Sequence, residues 1–449
     1  MSEHLARSII QTLRQHGFQA YLAGGCVRDL LLKREPADFD VATNATPSQV
    51  MEIFPETYAV GVQFGVVLVP PPESQCEEAQ RATPKAKAVE VATFRSDLGY
   101  SDGRHPDEVR FSQDPREDVA RRDFTINGMM LDSVSGEVLD FVGGQKDLDA
   151  HIVRAIGDPA RRFGEDKLRM LRAIRFAARF DYTIEPETLA AIQRLAPEIQ
   201  VVSRERVRDE LTKMLTEGRA RRAFLLLDQA GLLKEVLPEI STMKGVQQPP
   251  EFHPEGDVFV HTLLLLENLP YPCPSTLAWG ALLHDVGKPA TFRVAPERIR
   301  FDGHVEVGVK IADEICDRLR FSNQDKAQVL ALVDNHMRFG HVTRMKESTL
   351  KKFLRMPAFE QHLALHRADS MASHRNLSTY DFLQKKLTEI PPEKIRPTAL
   401  ITGDDLIAAG YSPGPRFREI LEAVEDAQLE DRLLSHDAAL ELVRREFPL

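Results

Sequence analysis

Leu22-Ala23-Gly24-Gly25-Cys26-Val27-Arg28-Asp29, followed closely by Ala37-Asp38-Phe39-Asp40-Val41, decides how the N-terminal part of this chain is read. Residues 20–23 predict a short strand and residues 27–33 a helix, so the two glycines fall in the turn between them. A turn without Cβ atoms lets backbone N–H groups approach a phosphate, and the helix N-terminus adds a favourable field. Arg28 is placed to reach the same phosphates. Asp38 and Asp40 stand at i and i+2 of an extended segment, which points both carboxylates to one face while Phe39 and Val41 point into a core. Paired carboxylates on a rigid strand suit Mg²⁺ in two-metal phosphoryl transfer: one ion acidifies the attacking hydroxyl, the other steadies the pyrophosphate leaving group. An isolated Asp-x-Asp reads as a solvated strand edge. Close behind a Gly-Gly-x-x-Arg turn, it reads as a metal site.

Outward from this stretch, the first 17 residues predict an amphipathic helix with Leu5, Ile9, Ile10 and Leu13 on one side. Strands are expected at 39–42, 64–69 and 88–94, with a helix near 49–54, giving an α/β or α+β head over residues 1–150. Residues 70–87, rich in Pro, Glu and Gln, read as an exposed insertion. Glu90 reads equally as a third carboxylate near the metals or as a solvent-facing strand residue, and is not counted in the site. From about residue 158 helical patterns take over, at 165–179, 187–196, 204–215 and 220–237. A Pro- and Gly-containing stretch at 243–256 marks a second boundary. Helices resume at Phe259 and carry most of the histidines to about residue 375.

With 449 residues the chain suggests roughly three domains. Apolar content of 43% and charged content of 28% are those of a globular protein, and no apolar run approaches the length of a membrane span. Four scattered cysteines (Cys26, Cys76, Cys273, Cys316), without Cys-x-x-Cys pairing, exclude a disulfide scaffold or zinc ribbon. Together with an N-terminus lacking a secretory pattern, they give the expectation of a cytosolic protein. The net charge of −10 argues against blanket nucleic-acid affinity while leaving room for a local basic face.

Three further stretches accompany the opening motif in order: Arg121-Arg122-Asp123-Phe124-Thr125-Ile126-Asn127, Gly157-Asp158-Pro159, and Glu165-Asp166-Lys167-Leu168-Arg169-Met170-Leu171-Arg172-Ala173-Ile174-Arg175-Phe176. Together they resemble the class II tRNA nucleotidyltransferases and bacterial poly(A) polymerases over residues 20–215. The resemblance implies a DNA-polymerase-beta-like nucleotidyltransferase head, an all-α neck and body at 151–242, an all-α HD domain at 255–375 and a small helical tail at 376–449 that contacts tRNA. It assigns Gly25, Arg28, Arg122, Asp166, Arg169, Arg172 and Arg175 to nucleotide binding, and Asp123 to a ribose hydroxyl or to a salt bridge with Arg121 or Arg122. Residues 96–106 resemble the flexible loop that helps the family switch from C to A, and read equally as a surface turn.

The segment from Glu165 also has a physical reading of its own. Arg169, Arg172, Arg175 and Arg179 recur every three or four residues along one side, and Leu171, Ile174 and Ala178 lie opposite. With no acid at i+4 to these arginines, the stripe is expected to want an anionic ligand. Asp166 and Arg169 offer an acceptor and a donor one turn apart. Cytosine and adenine both present an amine donor beside a ring-nitrogen acceptor, whereas uracil and guanine reverse that polarity, so the pair can accept CTP and ATP and refuse UTP and GTP.

Among the histidines, the pair in Leu282-Leu283-His284-Asp285-Val286-Gly287-Lys288 stands at the inner end of an apolar helix, where a cation is needed to offset desolvation. The series resembles the HD phosphohydrolases. That resemblance gives His261, His284, Asp285 and Asp369 to one divalent metal, with His304 and His336 available for a second; Mn²⁺, Ni²⁺, Fe²⁺ and Mg²⁺ all suit such ligands.

The expected function is template-independent addition of C and A to the tRNA 3′ end from CTP and ATP, with phosphohydrolase activity in the HD part. The tail stretches Thr402-Gly403-Asp404-Asp405-Leu406 and Gly410-Tyr411-Ser412-Pro413-Gly414-Pro415 resemble HD-fused CCA-adding enzymes. Poly(A) polymerisation and A-only or CC-only addition share the same head. An HD phosphohydrolase or nucleotide sensor with an RNA-binding head is the reading from another class.

Overall fold

The computed structural model describes residues 2–59, 61–71, 88–100, 103, 106–251, 253–296 and 298–448. The insertion expected at 70–87 therefore lies almost wholly outside the described residues, as do four positions of the 96–106 loop. The chain divides into two units, Met1–Pro238 and Glu239–Leu449.

The first unit is built on a mixed sheet. Its strands are β1 (Ala20–Ala23), β2 (Asp40–Thr43), β3 (Val66–Val69) and β4 (Val89–Thr93), a separate hairpin of β5 (Arg95–Leu98) and β6 (Glu108–Phe111), then β7 (Met129–Leu131) and β8 (Val138–Asp140). The six-stranded sheet runs β3-β4-β2-β1-β7-β8. Only β2 and β4 pair in parallel; the other neighbours are antiparallel. The helix Ser2–Gln15 buries Leu5, Ile9, Ile10 and Leu13, as its periodicity predicts. Phe39 and Val41 are buried, which turns the alternate side chains, Asp38 and Asp40, away from that core.

Two expected helices are broken. The segment 165–179 is a helix Pro159–Glu165, an extended Asp166 (φ −147°, ψ 108°) and a second helix Leu168–Phe180. The Asp166 carboxylate accepts from the Leu168 backbone N–H at 3.0 Å, the local bond by which a short acidic side chain competes with the helical ladder and starts a new helix. Likewise 220–237 is Ala220–Gln229 and Leu233–Val236, separated at Gly231 with φ +72°. In Leu168–Phe180 the residues Leu171, Ile174 and Ala178 are buried, which holds the opposite side in place. Truncating one such leucine to alanine costs about 2–5 kcal/mol.

The second unit is helical apart from a short hairpin, Arg293–Val294 with Ile299–Arg300. Its histidines sit on Val258–Glu267, at the end of Ser275–Leu283, at the start of His304–Arg318 and just past Asn323–Asn335; Asp369 lies on Phe359–Ala372. Gly287 explains the closeness of two of these elements. A Cβ there would meet the His304 carbonyl and lie 2.6 Å from the Gly308 nitrogen, so only glycine lets the His304 helix approach this near. The C-terminal helices Arg416–Leu429 and His436–Glu446 pack over their own cluster, including Leu406, Ile420, Val424 and Val443.

Candidate active sites of the two units

In the first unit the sheet register places carboxylates side by side. Asp40 is the partner of Glu90 across the parallel pair β2–β4, and adjacent partners present their side chains to the same face. Asp38, Asp40 and Glu90 line one pocket of 550 Å³. Burial first, and the Glu90 carboxylate second, push the Asp40 carboxyl up to about 6 against the pull of Arg122. Glu90 is raised too, by burial, with Arg122, Arg121 and Arg95 opposing. Like charges held together without a matching cation are the environment a divalent ion relieves.

Asp40 also lines a second cleft, of 430 Å³, shared with Gly25, Arg28, Arg122, Asp123, Asp166, Arg169, Arg172 and Arg175. The residues named from sequence thus converge, but their partners differ from those expected. Each arginine of the stripe already holds a carboxylate. Arg169 pairs with Glu165 at 2.7 Å, Arg172 with Asp123 at 2.7 Å, Arg175 with Glu210 at 2.7 Å and Arg179 with Glu217 at 3.5 Å. The expectation of acid-free arginines fails because the acids come from four residues earlier, from the loop before residue 124 and from the helix Arg204–Thr216 and its end, which spacing along one helix cannot reveal.

Asp123 therefore bonds Arg172 rather than Arg121 or Arg122. Burial would raise its pKa, but Arg172 and Asn127 outweigh burial and hold it at about 2. Asp166 and Arg169 are not bonded to each other: the Asp166 carboxylate accepts from Arg206 at 2.7 Å, and Arg169 donates to the Arg121 carbonyl at 3.1 Å. Asp118, fully buried, holds Arg121 and Arg122 together at 2.6 and 3.0 Å. Gly24, at φ +78°, lies against this group, since a Cβ there would stand 2.7 Å from Arg122 Nη1. Arg28 is buried, donates to Asn127 at 2.6 Å and lies 4.5 Å from the Phe180 ring centre.

In the second unit six ligand-type side chains gather. His261 Nε2 stands 3.1 Å from Asp369 and 3.9 Å from Asp285; His284 Nε2 is 3.1 Å from Asp285. His304 and His336 each place Nε2 at 3.8 Å from the other Asp285 oxygen. Asp285 is thus shared by two groups, His261-His284-Asp285 and Asp285-His304-His336, whose ligand atoms in each lie within 4.8 Å of one another.

The outer contacts of the four rings suit a metal. The Nδ1 atoms of His284, His304 and His336 donate to the carbonyls of Ala281, Phe301 and Val333 at 2.8, 2.9 and 2.7 Å. His261 Nδ1 meets the Glu255 carboxylate at 2.6 Å. A proton fixed on each Nδ1 leaves Nε2 as the lone pair facing the cluster. The Nε2 atoms of His261 and His284 are buried without a hydrogen-bond partner, which a coordinated ion would satisfy. Burial first, and His284 next, lower His336 to about 4, which keeps its ring neutral. The cation foreseen beside His284-Asp285 is present as Lys288, 2.6 Å from the Asp285 carboxylate.

The chain matches three family models: the poly A polymerase head domain at residues 20–154, the probable RNA and SrmB-binding site of polymerase A at 181–244, and the HD domain at 259–374. The chain belongs to the poly(A) polymerase and tRNA nucleotidyltransferase family. Among its curated relatives, the CCA-adding enzyme of Lactobacillus gasseri is 40% identical over 231 residues, covering 51% of this chain and 54% of the relative. That of Geobacillus stearothermophilus is 42% identical over 227 residues, covering 51% and 53%. The chain spans about half the length of the curated relatives it matches. Among solved structures, the CCA-adding enzyme of Bacillus stearothermophilus in complex with CTP aligns at a TM-score of 0.73 and 27% identity, covering 98% of this chain and 96% of that one. A Thermotoga maritima CCA-adding enzyme complexed with tRNA, at 20% identity and TM-score 0.60, shows the shared fold alone, over 98% and 94% of the chains.

Family members with this head and HD domain use divalent metals, and the His/Asp cluster here is a possible site for one. Sequence reasoning had set Glu90 aside and had missed Asp118, Arg206, Glu210 and Glu255. Glu90 was findable, since an acid alternating with buried valines on a strand beside the Asp-x-Asp strand shares its face. The others are distant in sequence from the side chains they hold. Among the described residues no helix is long and apolar enough to cross a membrane.

Proposed function

We propose that this chain adds C and A nucleotides to the 3′ end of tRNA from CTP and ATP, and that it does so in the cytosol. The observation that carries the proposal is the double position of Asp40. It lines both the carboxylate pocket with Asp38 and Glu90 and the arginine cleft with Asp166 and Arg169. A triphosphate in the cleft would therefore have its α-phosphorus beside the acids while its base lies on the helix side. Mg²⁺ held by Asp38, Asp40 and Glu90 would supply charge neutralisation at the triphosphate. In the reaction the RNA 3′ oxygen forms a bond to the α-phosphorus, the bond to pyrophosphate breaks, and the hydroxyl proton leaves to solvent.

The remaining work belongs to the side chains. The Gly24-Gly25 backbone and Arg122 bind phosphate, with Arg122 oriented by Asp118. Arg28, Arg172 and Arg175 line the floor of the cleft, and Asp123 faces the ribose from its bond to Arg172. Asp166, kept ionised by Arg206, accepts from the exocyclic amine, and Arg169 donates to the ring nitrogen, so that cytosine and adenine fit while uracil leaves buried groups unpaired. The CTP complex of the Bacillus stearothermophilus relative supports this use of the head. The three family models support a division into head 1–150, neck and body 151–242, HD domain 255–375 and tRNA-contacting tail 376–449.

The second unit is given a separate reading by its ligand cluster: hydrolysis of a phosphoester. One metal, Mn²⁺, Ni²⁺, Fe²⁺ or Mg²⁺, fits His261, His284, Asp285 and Asp369, and a second fits Asp285, His304 and His336. Bound there, the ions would supply Lewis acidity. Water oxygen bonds to phosphorus, the ester P–O bond breaks, and a proton passes to the leaving oxygen.

Both readings are tested with tRNA transcripts ending before the CCA, after CC and after CCA, each given a single labelled NTP. The expected product is C addition to the first, A addition to the second and none to the third. Incorporation of UTP, or A-tailing of all three, would overturn the assignment in favour of another transferase. Asp38→Ala should abolish incorporation and leave phosphoester hydrolysis intact; survival of incorporation in this variant contradicts the metal site.

A further inference from the structure

The hairpin Arg293–Val294 and Ile299–Arg300 borders the histidine pocket of the second unit. Two of its arginines, Arg298 and Arg300, line that pocket with Asp285, His304 and His336. Both are exposed, and among the described residues neither has a carboxylate partner. Arg293 differs, being tied to Asp302 at 2.9 Å across the open end of the hairpin. The hairpin is also joined to the cluster itself, because the Phe301 carbonyl accepts from His304 Nδ1 at 2.9 Å.

The charges inside the pocket are already committed. Asp285 is engaged by Lys288 and His284, and Asp369 by His261, so neither is free to neutralise the rim. Two unpaired guanidinium groups beside a third cation, Lys288, repel one another unless an anion lies between them. The planar fork of each matches a phosphate through two parallel N–H donors. The pocket encloses 410 Å³, room for more than a single phosphate group.

We propose that Arg298 and Arg300 form a second phosphate subsite. The pocket then takes a nucleotide ligand that carries a further phosphate beyond the one at the metal-ligating cluster, as the 3′ end of an RNA strand or a nucleoside bisphosphate does. This inference rests on the phosphoester reading given above.

The test compares hydrolysis by the full chain of a nucleoside 3′-monophosphate, the matching 3′,5′-bisphosphate and an octaribonucleotide ending in a 3′-phosphate, in Mn²⁺, Mg²⁺ and Ni²⁺. The bisphosphate, the octamer or both should have a lower KM than the monophosphate. In R298A/R300A that advantage should shrink about ten-fold while turnover of the monophosphate stays unchanged, and R298K/R300K should restore part of it. For the octamer the slope of log KM against log salt should fall by about 1.4, from two phosphates at about 0.7 each. An octamer bound more tightly than the bisphosphate marks an RNA strand as the source; equal values mark the bisphosphate. A double variant that keeps the full advantage overturns the subsite.

If the unaltered chain hydrolyses none of the three, the phosphoester reading falls and the subsite is judged by binding. An octamer carrying 4-thiouridine should then photo-crosslink within residues 293–301, and R298A/R300A should lose the crosslink. Absence of that crosslink in the unaltered chain overturns the subsite as well.

Discussion

Asp40 and Glu90 are direct partners across the only parallel pair of the head sheet, so two acids separated by fifty residues of sequence face one pocket. Their proximity raises the pKa of Asp40 to about 6, after the larger effect of burial. Glu90→Gln keeps the side-chain shape and removes one charge. It is expected to weaken Mg²⁺ dependence and to lower nucleotide incorporation by about 10–100-fold, the range seen when a group supporting a metal is altered. An unchanged Mg²⁺ midpoint would return Glu90 to the status of a solvent-facing strand residue.

Gly24→Ala addresses the phosphate turn. Alanine at φ +78° is strained by about 1–2 kcal/mol, and its Cβ would stand 2.7 Å from Arg122 Nη1. Arg122 must then leave its position beside Asp118. The expected outcome is a raised KM for both CTP and ATP, with a small drop in melting temperature. Equal activity to the parent chain would show that Arg122 does not serve the cleft.

The Asp123–Arg172 pair makes a prediction for acid stability. The carboxyl of Asp123 lies at about 2 in the folded chain against 3.8 for the model group. A depressed folded pKa stabilises above the unfolded value and loses that contribution as pH falls through the folded one. The pair should therefore contribute about 2 kcal/mol above pH 4, lost between about pH 4 and 2. Asp123→Asn should flatten this part of a plot of denaturant midpoint against pH; an unaltered slope would deny the pair its role.

Asp285 and Asp369 should differ in metal stoichiometry. Asp285 is common to both ligand groups, whereas Asp369 touches only His261. Metal analysis of the purified chain is expected to find both ions diminished in Asp285→Asn and one retained in Asp369→Asn. Two ions persisting in Asp285→Asn would refute a shared carboxylate.

The chain's own order of residues determined a good deal. The glycine turn, the i, i+2 acids and the apolar periods are local signals, and they place β1, β2, β4, the first helix and both sets of site residues within a residue or two of where they stand. What only the tertiary structure decided is which charge answers which. Arg206 reaches Asp166, Glu210 reaches Arg175, Asp118 draws two arginines together, Glu255 sets the ring of His261, and the β2–β4 register brings in Glu90. The reason is physical. Backbone conformation follows from sterics and hydrogen bonds within a few residues, whereas a buried charge is stabilised by whatever opposite charge packing delivers, and that partner is specified by the whole chain at once.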